Sequence, residues 1–183
     1  RYGIYGGLEC VADYFKAHFD SKPGQRLWQL YSRTALLCAG GTERACAFEN
    51  SDRPGIMLAG AMRAYANRWA TAVGDRIAIF ANNDDAHRTA HDLHRLGVEI
   101  AAVIDSRPEA PTSAHFEVLP ASEVVNTHGR LGINSIDVKT PQGLRQLQVS
   151  GLGVSGGWNP NIHLTCHQRG RPQWDPVISA FVP

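Results

Sequence analysis

Hydrophobic and polar positions along the chain predict a series of short strands and helices. Residues 10–15 carry an apolar stripe typical of a helix, whereas residues 26–33 alternate apolar and polar side chains, the period of a half-buried strand. Residues 34–39 form a continuous apolar run that stops at Gly40, which indicates a strand covered on both faces. Residues 56–68 have apolar side chains at helical spacing and are predicted to be a helix.

The best-defined pattern is a strand–helix–strand unit in the middle of the chain. Residues 76–81 predict a short buried strand, and residues 85–96 a helix that Asp84 caps. Gly97 ends this helix, at a position where a left-handed residue is favoured. Residues 98–104 predict a second buried strand. The two strands of such a unit are parallel and joined by a right-handed crossover.

The later part of the chain is predicted to be rich in strands. Its expected elements are a strand at 123–128, a hairpin of 133–139 with 144–149, a strand at 152–154, and helix and coil from Asn161 onwards.

The strand–helix–strand unit has the layout of a dinucleotide-binding fold, but its first turn lacks the glycine fingerprint that receives a diphosphate. Of residues 81–86, only Ala86 fits the fingerprint, and Asn83 adds a side chain where a close backbone approach is needed. Asp84 and Asp85 place negative charge at the helix N-terminus, where a phosphate would bind. We therefore expect a nucleotide fold without its own phosphate site; a ribose contact by Asp105 is the less favoured alternative.

Two pairs of glycines suggest how the chain is divided. Each pair, at 40–41 and at 156–157, follows a predicted buried strand and allows a sharp turn or a close approach to a ligand. We expect residues 74–150 to be an inserted nucleotide-fold domain of βαβ unit plus hairpin. Residues 1–73 would then be part of an outer dinucleotide-binding domain, and residues 151–183 the return to it.

Composition excludes several classes of function. The chain has 183 residues, 43% of them hydrophobic and 19% charged, with a net charge of +1. That balance argues against nucleic acid as a partner, and no apolar run approaches the roughly 20 residues of a membrane span. The first residue is Arg1 and no leader pattern precedes the fold, so we expect the chain to be part of a longer polypeptide.

Cysteine and histidine positions bear on metal binding. The four cysteines, at 10, 38, 46 and 166, have no metal-ligand spacing and predict free thiols in a reducing cytoplasm. His87, His91 and His94 share one face of the predicted helix and could together bind a divalent ion. A solvated helix face without metal is favoured, because no carboxylate accompanies these imidazoles.

Several longer motifs resemble the alpha subunit of bacterial heterotetrameric sarcosine oxidase. The similarity covers residue 26 to the end; its motifs lie at 39–44, 48–58, 80–84, 103–108, 155–160, 163–164, 174–176 and 180–183. The most distinctive strings are D-R-P-G-I-M-L at 52–58 and S-G-G-W-N-P at 155–160. Two positions depart from the family pattern, since Ala45 stands where relatives usually have proline and Gly40 where they usually have threonine.

The resemblance implies an α/β fold of two FAD/NAD(P)-binding, Rossmann-like dinucleotide domains. It also implies an oxidoreductase complex that demethylates sarcosine to glycine, a one-carbon unit and hydrogen peroxide. NAD is expected in the intact alpha subunit, FAD and FMN with the partner subunit, and tetrahydrofolate elsewhere in the complex, while this chain alone need not hold any of them. The implied partners are the beta, gamma and delta subunits and a small-molecule substrate.

By the same resemblance, eight residues match cofactor-binding positions of the family, and none is assigned to catalysis or to a metal. They are Gly40, Gly41, Thr42, Glu43, Arg44, Gly156, Gly157 and Asn159. Residues 40–44 match the strand-end turn that faces the outer nucleotide site, and the other three match the second crossing between the domains.

Two other functions remain open from the sequence. One is the alpha subunit of a related opine or amino-acid dehydrogenase complex, which would use an acceptor other than oxygen. The other is a structural subunit-interaction module that uses Trp158, Trp174 and Phe181 as contact residues. In every case the isolated chain is expected to be inactive.

Overall fold

The computed structural model describes residues 3–10, 25–36, 38–166 and 169–183 of the chain. They belong to two compact units, residues 1–39 and residues 40–183. In the first unit, strands β1 (Gly3–Cys10) and β2 (Gln25–Ser32) form an antiparallel pair with Gly3 opposite Ser32. The strand predicted from alternation at 26–33 is confirmed.

Of two further predictions for the first unit, one is wrong and the other falls mostly outside the described residues. The strand predicted at 34–39 is wrong for its described residues, which have no strand structure, and Leu36 is 90% exposed. An apolar run becomes a strand only where a neighbouring strand and a covering layer exist, and periodicity alone cannot show that. Of the helix predicted at 10–15, the structure describes only Cys10, which is the last residue of strand β1. Residues 11–15 lie outside the described residues.

The second unit is built on a five-stranded parallel sheet. Its strands, in spatial order, are β4 (Ile56–Leu58), β11 (Gly151–Ser155), β5 (Arg76–Ala81), β6 (Glu99–Asp105) and β7 (Val118–Leu119). Every neighbouring pair runs parallel. The parallel pairing predicted for the two strands of the strand–helix–strand unit, β5 and β6, is confirmed.

Each face of this sheet is covered by a different layer. Helices α1 (Ala59–Trp69) and α2 (Asp84–Arg95) pack on one face, where Met62, Ile79 and Leu93 belong to one apolar core. The other face packs against a three-stranded antiparallel sheet of β8 (Glu123–His128), β9 (Ser135–Thr140) and β10 (Gly143–Gln148). Cover on both faces explains why β5 and β6 are almost continuously apolar. The predicted hairpin and the strand before it are confirmed.

Helix α1 begins later than predicted. Residues 56–58, assigned to the helix from the sequence, form strand β4 and pair with β11 at Leu152–Val154. The apolar stripe fits either structure over so few residues, and the partner strand, about a hundred residues further along the chain, decides between them.

Helix α2 is capped by a different residue from the one predicted. Asn83 is the N-cap and its side chain accepts a hydrogen bond from the Ala86 amide, while Asp84 is the first helical residue. Asn and Asp are equally good caps, but the Asp84 carboxylate is held in an ion pair with Arg107 at 2.8 Å. Gly97 follows the helix with a φ of +89°, as its position predicted.

Short elements complete the second unit. Strand β3 (Gly41–Glu43) pairs with β12 (Trp158–Pro160), and β13 (Gln173–Asp175) pairs with β14 (Ala180–Val182), both antiparallel. Helix α3 (His163–Cys166) is a single turn. The tail predicted as helix and coil thus contains a β hairpin as well. The domain boundaries at 73/74 and 150/151 stay a prediction.

Candidate functional site

A cleft of about 670 Å³ opens at the carboxyl ends of the parallel strands β5 and β11. Ligands of open α/β sheets bind at this edge, where the chains leaving two adjacent strands diverge. Here the chain leaves β5 through Asn82 and Asn83 into α2, and leaves β11 through Gly156 and Gly157 into β12. The remaining lining residues are Arg44, Ala45, Cys46, Trp158, Val177, Ile178 and Ser179.

The pairing of β3 with β12 brings the two predicted glycine-bearing segments together. Gly41 lies opposite Pro160, Thr42 opposite Asn159, and Glu43 opposite Trp158. The glycine pair at 156–157 follows a buried strand, as expected, whereas the pair at 40–41 leads into β3 and does not follow a described strand. Of the eight predicted site residues, Arg44, Gly156 and Gly157 line the cleft, and the other five do not.

Backbone hydrogen bonds fix the two glycines against Arg44. The Gly156 amide donates to the Arg44 carbonyl at 2.7 Å, and the Arg44 amide donates to the Gly157 carbonyl at 2.8 Å. Gly157 has a φ of +93°, and a Cβ there would lie 2.8 Å from Nη2 of Arg44. The positive φ favours glycine at 157, and a Cβ there would require the end of the Arg44 side chain to move.

The predicted site residues outside the cleft have local structural contacts. Glu43 is buried, and its Oε2 accepts a hydrogen bond from the Gly60 amide at 2.9 Å, in the first turn of α1. A carboxylate at this place stabilises the helix through its free amides and its dipole. Thr42 Oγ1 donates to Asn161 Oδ1 at 2.9 Å, and the Asn161 amide donates to the Gly40 carbonyl at 3.0 Å.

Arg44 supplies the cleft's charge. Among the described residues that line the cleft it is the one charged side chain, and none of them is a carboxylate. Its Nη1 donates to the Ser179 carbonyl at 2.8 Å and its Nη2 to the Ile178 carbonyl at 3.4 Å. Its Nε is inaccessible to solvent and has no hydrogen-bond partner in the described part of the chain. The cleft is thus suited to an anionic ligand.

Cys46 lines the same cleft as a free thiol. Burial raises the pKa of this thiol, and the charge of Arg44 only partly opposes that effect. Cys46 is therefore protonated near neutral pH and contributes an apolar wall to the cleft.

A network of polar side chains lies at the carboxyl ends of β5 and β6, and these groups bind one another. Asp105 is fully buried and accepts hydrogen bonds from His87 Nε2 at 2.7 Å and Arg107 Nη2 at 2.8 Å. Its other oxygen accepts from the Arg107 amide at 2.9 Å. Burial alone would raise the pKa of Asp105, but the hydrogen bonds from His87 and Arg107 lower it to about 2.

These contacts correct one sequence prediction and weaken another. His87 was predicted to lie on a solvated helix face, but it is buried, because Asp105 on β6 offers it a partner across the helix–sheet interface. The alternative prediction, a ribose contact by Asp105, is disfavoured because both of its carboxylate oxygens already accept hydrogen bonds. The hydrogen bond to Asp105 and the ion pair with Asp84 raise the pKa of Arg107, which stays charged.

The other two histidines of α2 lie in a separate cluster. His91 packs on Phe116 with ring centres 4.8 Å apart, and the His94 ring stacks on His115 at 5.2 Å. In the part of the chain that the structure describes, no three His, Cys, Asp or Glu side chains are grouped so that they could hold a metal ion.

Sequence reasoning missed much of the cleft lining. Asn83 was noted only as an obstacle to phosphate, yet its Nδ2 donates to the Ser155 carbonyl and Oγ at 3.1 Å and so ties β5 to β11. Two polar turn residues directly after a buried strand were the available signal for this edge. No sequence signal placed residues 177–179, because their position depends on contacts with Arg44, more than 130 residues earlier.

Comparison with curated proteins identifies the relatives. The chain is 37% identical over 181 residues to sarcosine oxidase subunit alpha of Rhizobium meliloti (strain 1021), which covers 98% of this chain and 18% of that protein. It is 35% identical over 185 residues to the subunit of the same name from Corynebacterium sp. (strain U-96), covering 91% of this chain and 19% of that protein. The chain aligns with one segment of each of these sarcosine oxidase alpha subunits. The resemblance inferred from its motifs is confirmed, and the chain spans less than a fifth of the length of these relatives. No family model matches the chain.

Solved structures confirm the fold class. L-proline dehydrogenase from P. horikoshii aligns with a TM-score of 0.64 at 18% identity, covering 86% of this chain and 28% of that one. Thioredoxin reductase of Lactococcus lactis aligns with a TM-score of 0.58 at 14% identity, covering 78% and 52% of the two chains. A FAD-dependent pyridine nucleotide-disulphide oxidoreductase from Desulfovibrio vulgaris gives 0.57 at 16% identity, covering 85% and 43%. The fold is the α/β, Rossmann-like fold of FAD/NAD(P)-binding oxidoreductases. Among the described residues, no helix is both long and apolar enough to cross a bilayer.

Proposed function

We propose that this chain is the nucleotide-fold segment of a sarcosine oxidase alpha subunit. The observation that carries the proposal is 34–37% identity over 91–98% of the chain to three proteins named sarcosine oxidase subunit alpha. The whole complex would oxidatively demethylate sarcosine to glycine, a one-carbon unit and hydrogen peroxide. The names of these relatives favour this function over a related opine or amino-acid dehydrogenase.

The cofactors and partners proposed for the whole complex follow the same resemblance. NAD would bind the intact alpha subunit, FAD and FMN would act with the partner subunit, and tetrahydrofolate would accept the one-carbon unit. The beta, gamma and delta subunits would assemble with the alpha subunit in the cytoplasm, which suits the free thiols of Cys38, Cys46 and Cys166. Neither nucleic acid nor a membrane is proposed as a partner.

The cleft suits a dinucleotide better than the ends of β5 and β6 do, where the polar groups bind one another. Gly156 and Gly157 present backbone without side chains, and Arg44 offers a guanidinium among lining residues that include no carboxylate. We propose that Arg44 binds the diphosphate of the bound nucleotide, and that Gly156 and Gly157 let the diphosphate approach the backbone closely. The chain would bind and orient the nucleotide, while amine oxidation takes place at flavin outside this segment. The isolated chain is therefore expected to be inactive.

The test of the overall function is peroxide release by the complete protein with its co-expressed partner subunits. Sarcosine should yield one peroxide for each glycine formed, and glycine itself, as a matched control without the methyl group, should yield none. Reduction of a dye by an opine or by proline, without peroxide and without a response to sarcosine, would contradict the proposal in favour of the dehydrogenase alternative.

A second candidate role, subunit contact, is favoured by exposed aromatic side chains. Trp158, Trp174 and Phe181 are 43%, 54% and 53% exposed, and the rings of the last two lie 5.2 Å apart. Large exposed aromatics are favoured at interfaces. Trp174→Ser should weaken assembly of the complex in analytical ultracentrifugation, whereas Trp69→Ser, which changes an equally exposed tryptophan on α1, should not. Unchanged assembly for both variants would contradict this role.

A further inference from the structure

The guanidinium of Arg44 donates hydrogen bonds to neutral acceptors in a turn. Neither acceptor is a carboxylate. Both acceptors are main-chain carbonyls of the segment that joins β13 to β14, at Ser179 and Ile178. The buried Nε has no partner among the described residues. Arginine binds anionic oxygens more strongly than neutral carbonyls, so the turn is a weak substitute for an anionic ligand.

This turn, residues 176–179, also has hydrogen bonds within its own hairpin. Asp175 Oδ1 accepts hydrogen bonds from the amides of Val177 at 2.8 Å and Ile178 at 3.4 Å. Within the described residues, β13 and β14 form a sheet of two strands that pair only with each other. The hairpin can therefore shift without breaking the strand pairing of the parallel sheet.

The turn is neither well buried nor relaxed. Val177 is 90% exposed and Ile178 45% exposed, so movement of the turn would expose little further apolar surface of these two side chains to water. Ser179 has a φ of +48°, a left-handed conformation that is unfavourable for a residue other than glycine. Both features lower the free energy needed to release the turn from Arg44.

We propose that the cleft binds the phosphate groups of a nucleoside diphosphate, and that Arg44 exchanges its carbonyl contacts with residues 178–179 for phosphate oxygens as the turn moves away. This inference rests on the proposed function for the choice of a nucleotide as ligand. The turn and the phosphate then compete for one guanidinium, so anything that stabilises the closed turn weakens binding.

The experiment is isothermal titration calorimetry of the chain with ADP, and with inorganic pyrophosphate to separate the phosphate contribution from that of the nucleoside. Arg44→Gln should weaken ADP binding about 10- to 100-fold, the loss of a charge-assisted hydrogen bond. Arg88→Gln makes the same change of charge on an exposed position of α2 that does not line the cleft, and it should leave the affinity unchanged.

Two further variants change the turn and leave Arg44 intact. Ser179→Gly relaxes the left-handed residue, stabilises the closed turn and should weaken ADP binding about two- to fivefold. Asp175→Ala removes the acceptor that holds the turn and should tighten ADP binding about two- to tenfold. These opposite signs keep the test valid even if Arg44→Gln fails to fold.

Several results would overturn the proposal. They are no ADP or pyrophosphate binding by the unaltered chain, equal affinity of the Arg44→Gln and unaltered chains, or the same direction of change for Ser179→Gly and Asp175→Ala. Binding by calorimetry requires no turnover, so its failure is distinguishable from failure of the peroxide assay, which tests the proposed function of the complex.

Discussion

Two groups of polar residues at the carboxyl edge of the parallel sheet differ in how they are used. At the ends of β5 and β6, Asp105 accepts hydrogen bonds from His87 and Arg107, and Arg107 is also paired with the exposed Asp84. In the β5–β11 cleft, the one charged lining side chain among the described residues, Arg44, donates its hydrogen bonds to backbone carbonyls. The same sheet edge therefore carries one buried network whose charges neutralise each other and one cleft whose charge has no carboxylate among its lining residues.

The difference shows that an acidic residue at a strand end is not by itself a ligand-binding residue. A carboxylate that accepts several hydrogen bonds in a buried position contributes to stability, and binding a ribose would require breaking those bonds. We therefore interpret the β5–β6 network as structural and the β5–β11 cleft as the ligand site. Substitutions in the network and in the cleft test this interpretation.

The largest effect is expected from removing the carboxylate at the centre of the network. Asp105→Ala leaves His87 and Arg107 without their shared partner, one of them in a buried position, and should lower the free energy of unfolding by about 3–5 kcal/mol. Asp137→Ala is the control, because Asp137 also pairs with a histidine, at 2.7 Å, but that His128 side chain is 41% exposed. Its expected loss is about 1 kcal/mol or less in urea denaturation. Equal losses for the two variants would contradict a structural role for the network.

Acid should remove part of the same stabilisation. The pKa of Asp105 is lowered to about 2 in the folded chain, against about 3.9 in an unfolded one. Its contribution, roughly 2–3 kcal/mol, is therefore complete above about pH 5 and is lost as the pH falls through 4 towards 2. Asp105→Asn should reduce the slope of unfolding free energy against pH in that window. An unchanged slope would show that this carboxyl is not held ionised by His87 and Arg107.

A smaller effect is expected in the cleft, from a matched pair of glycine substitutions. Gly97 and Gly157 have φ angles of +89° and +93°, but only at Gly157 would a Cβ meet a neighbour, Arg44 Nη2 at 2.8 Å. Gly97→Ala should cost about 1 kcal/mol from backbone strain alone. Gly157→Ala should cost about 2–3 kcal/mol and also displace Arg44, with weaker ADP binding. If Gly97→Ala and Gly157→Ala lowered ADP affinity equally, this would contradict a local effect of Gly157 in the cleft.

The smallest effect is expected from neutralising the acidic start of α2. Asp84 is 67% exposed in its ion pair with Arg107, and neither Asp84 nor Asp85 lines the cleft. The double variant Asp84→Asn, Asp85→Asn should change the free energy of unfolding by about 1 kcal/mol or less and ADP affinity by less than about threefold. A gain in ADP affinity of about tenfold or more would instead place the nucleotide site at the N-terminus of α2, where the sequence predicts repulsion of phosphate.

The predictability of the elements depended on how local their determinants were. The β5–α2–β6 unit could be predicted because its apolar runs, its turn residues and Gly97 all lie within one stretch of about thirty residues. Strand β4 could not be separated from helix α1, because its strand structure requires β11 as a neighbour. The cap at Asn83 was missed since both Asn83 and Asp84 are good caps, and the contacts of Asn83 with Ser155 and of Asp84 with Arg107 join residues distant in sequence.

The candidate site was predictable only in outline. Arg44, Gly156 and Gly157 were found through the family motifs, and the structure places them together on one cleft. The same motifs also included Glu43, whose carboxylate contacts the start of α1 and not the cleft. A motif records which residue types occur together, but it does not separate a residue that supports the fold from one that would contact a ligand.

Local periodicity and contiguous motifs were enough to predict the α/β class, the parallel βαβ unit, the hairpin and the resemblance to sarcosine oxidase alpha subunits. Three findings required the folded chain: His87 is buried against Asp105, Glu43 contacts the start of a helix, and Arg44 reaches a turn near the end of the chain. These contacts join residues distant in sequence, and the burial and partner that fix each side chain's role exist only once the sheet and its covering layers have formed.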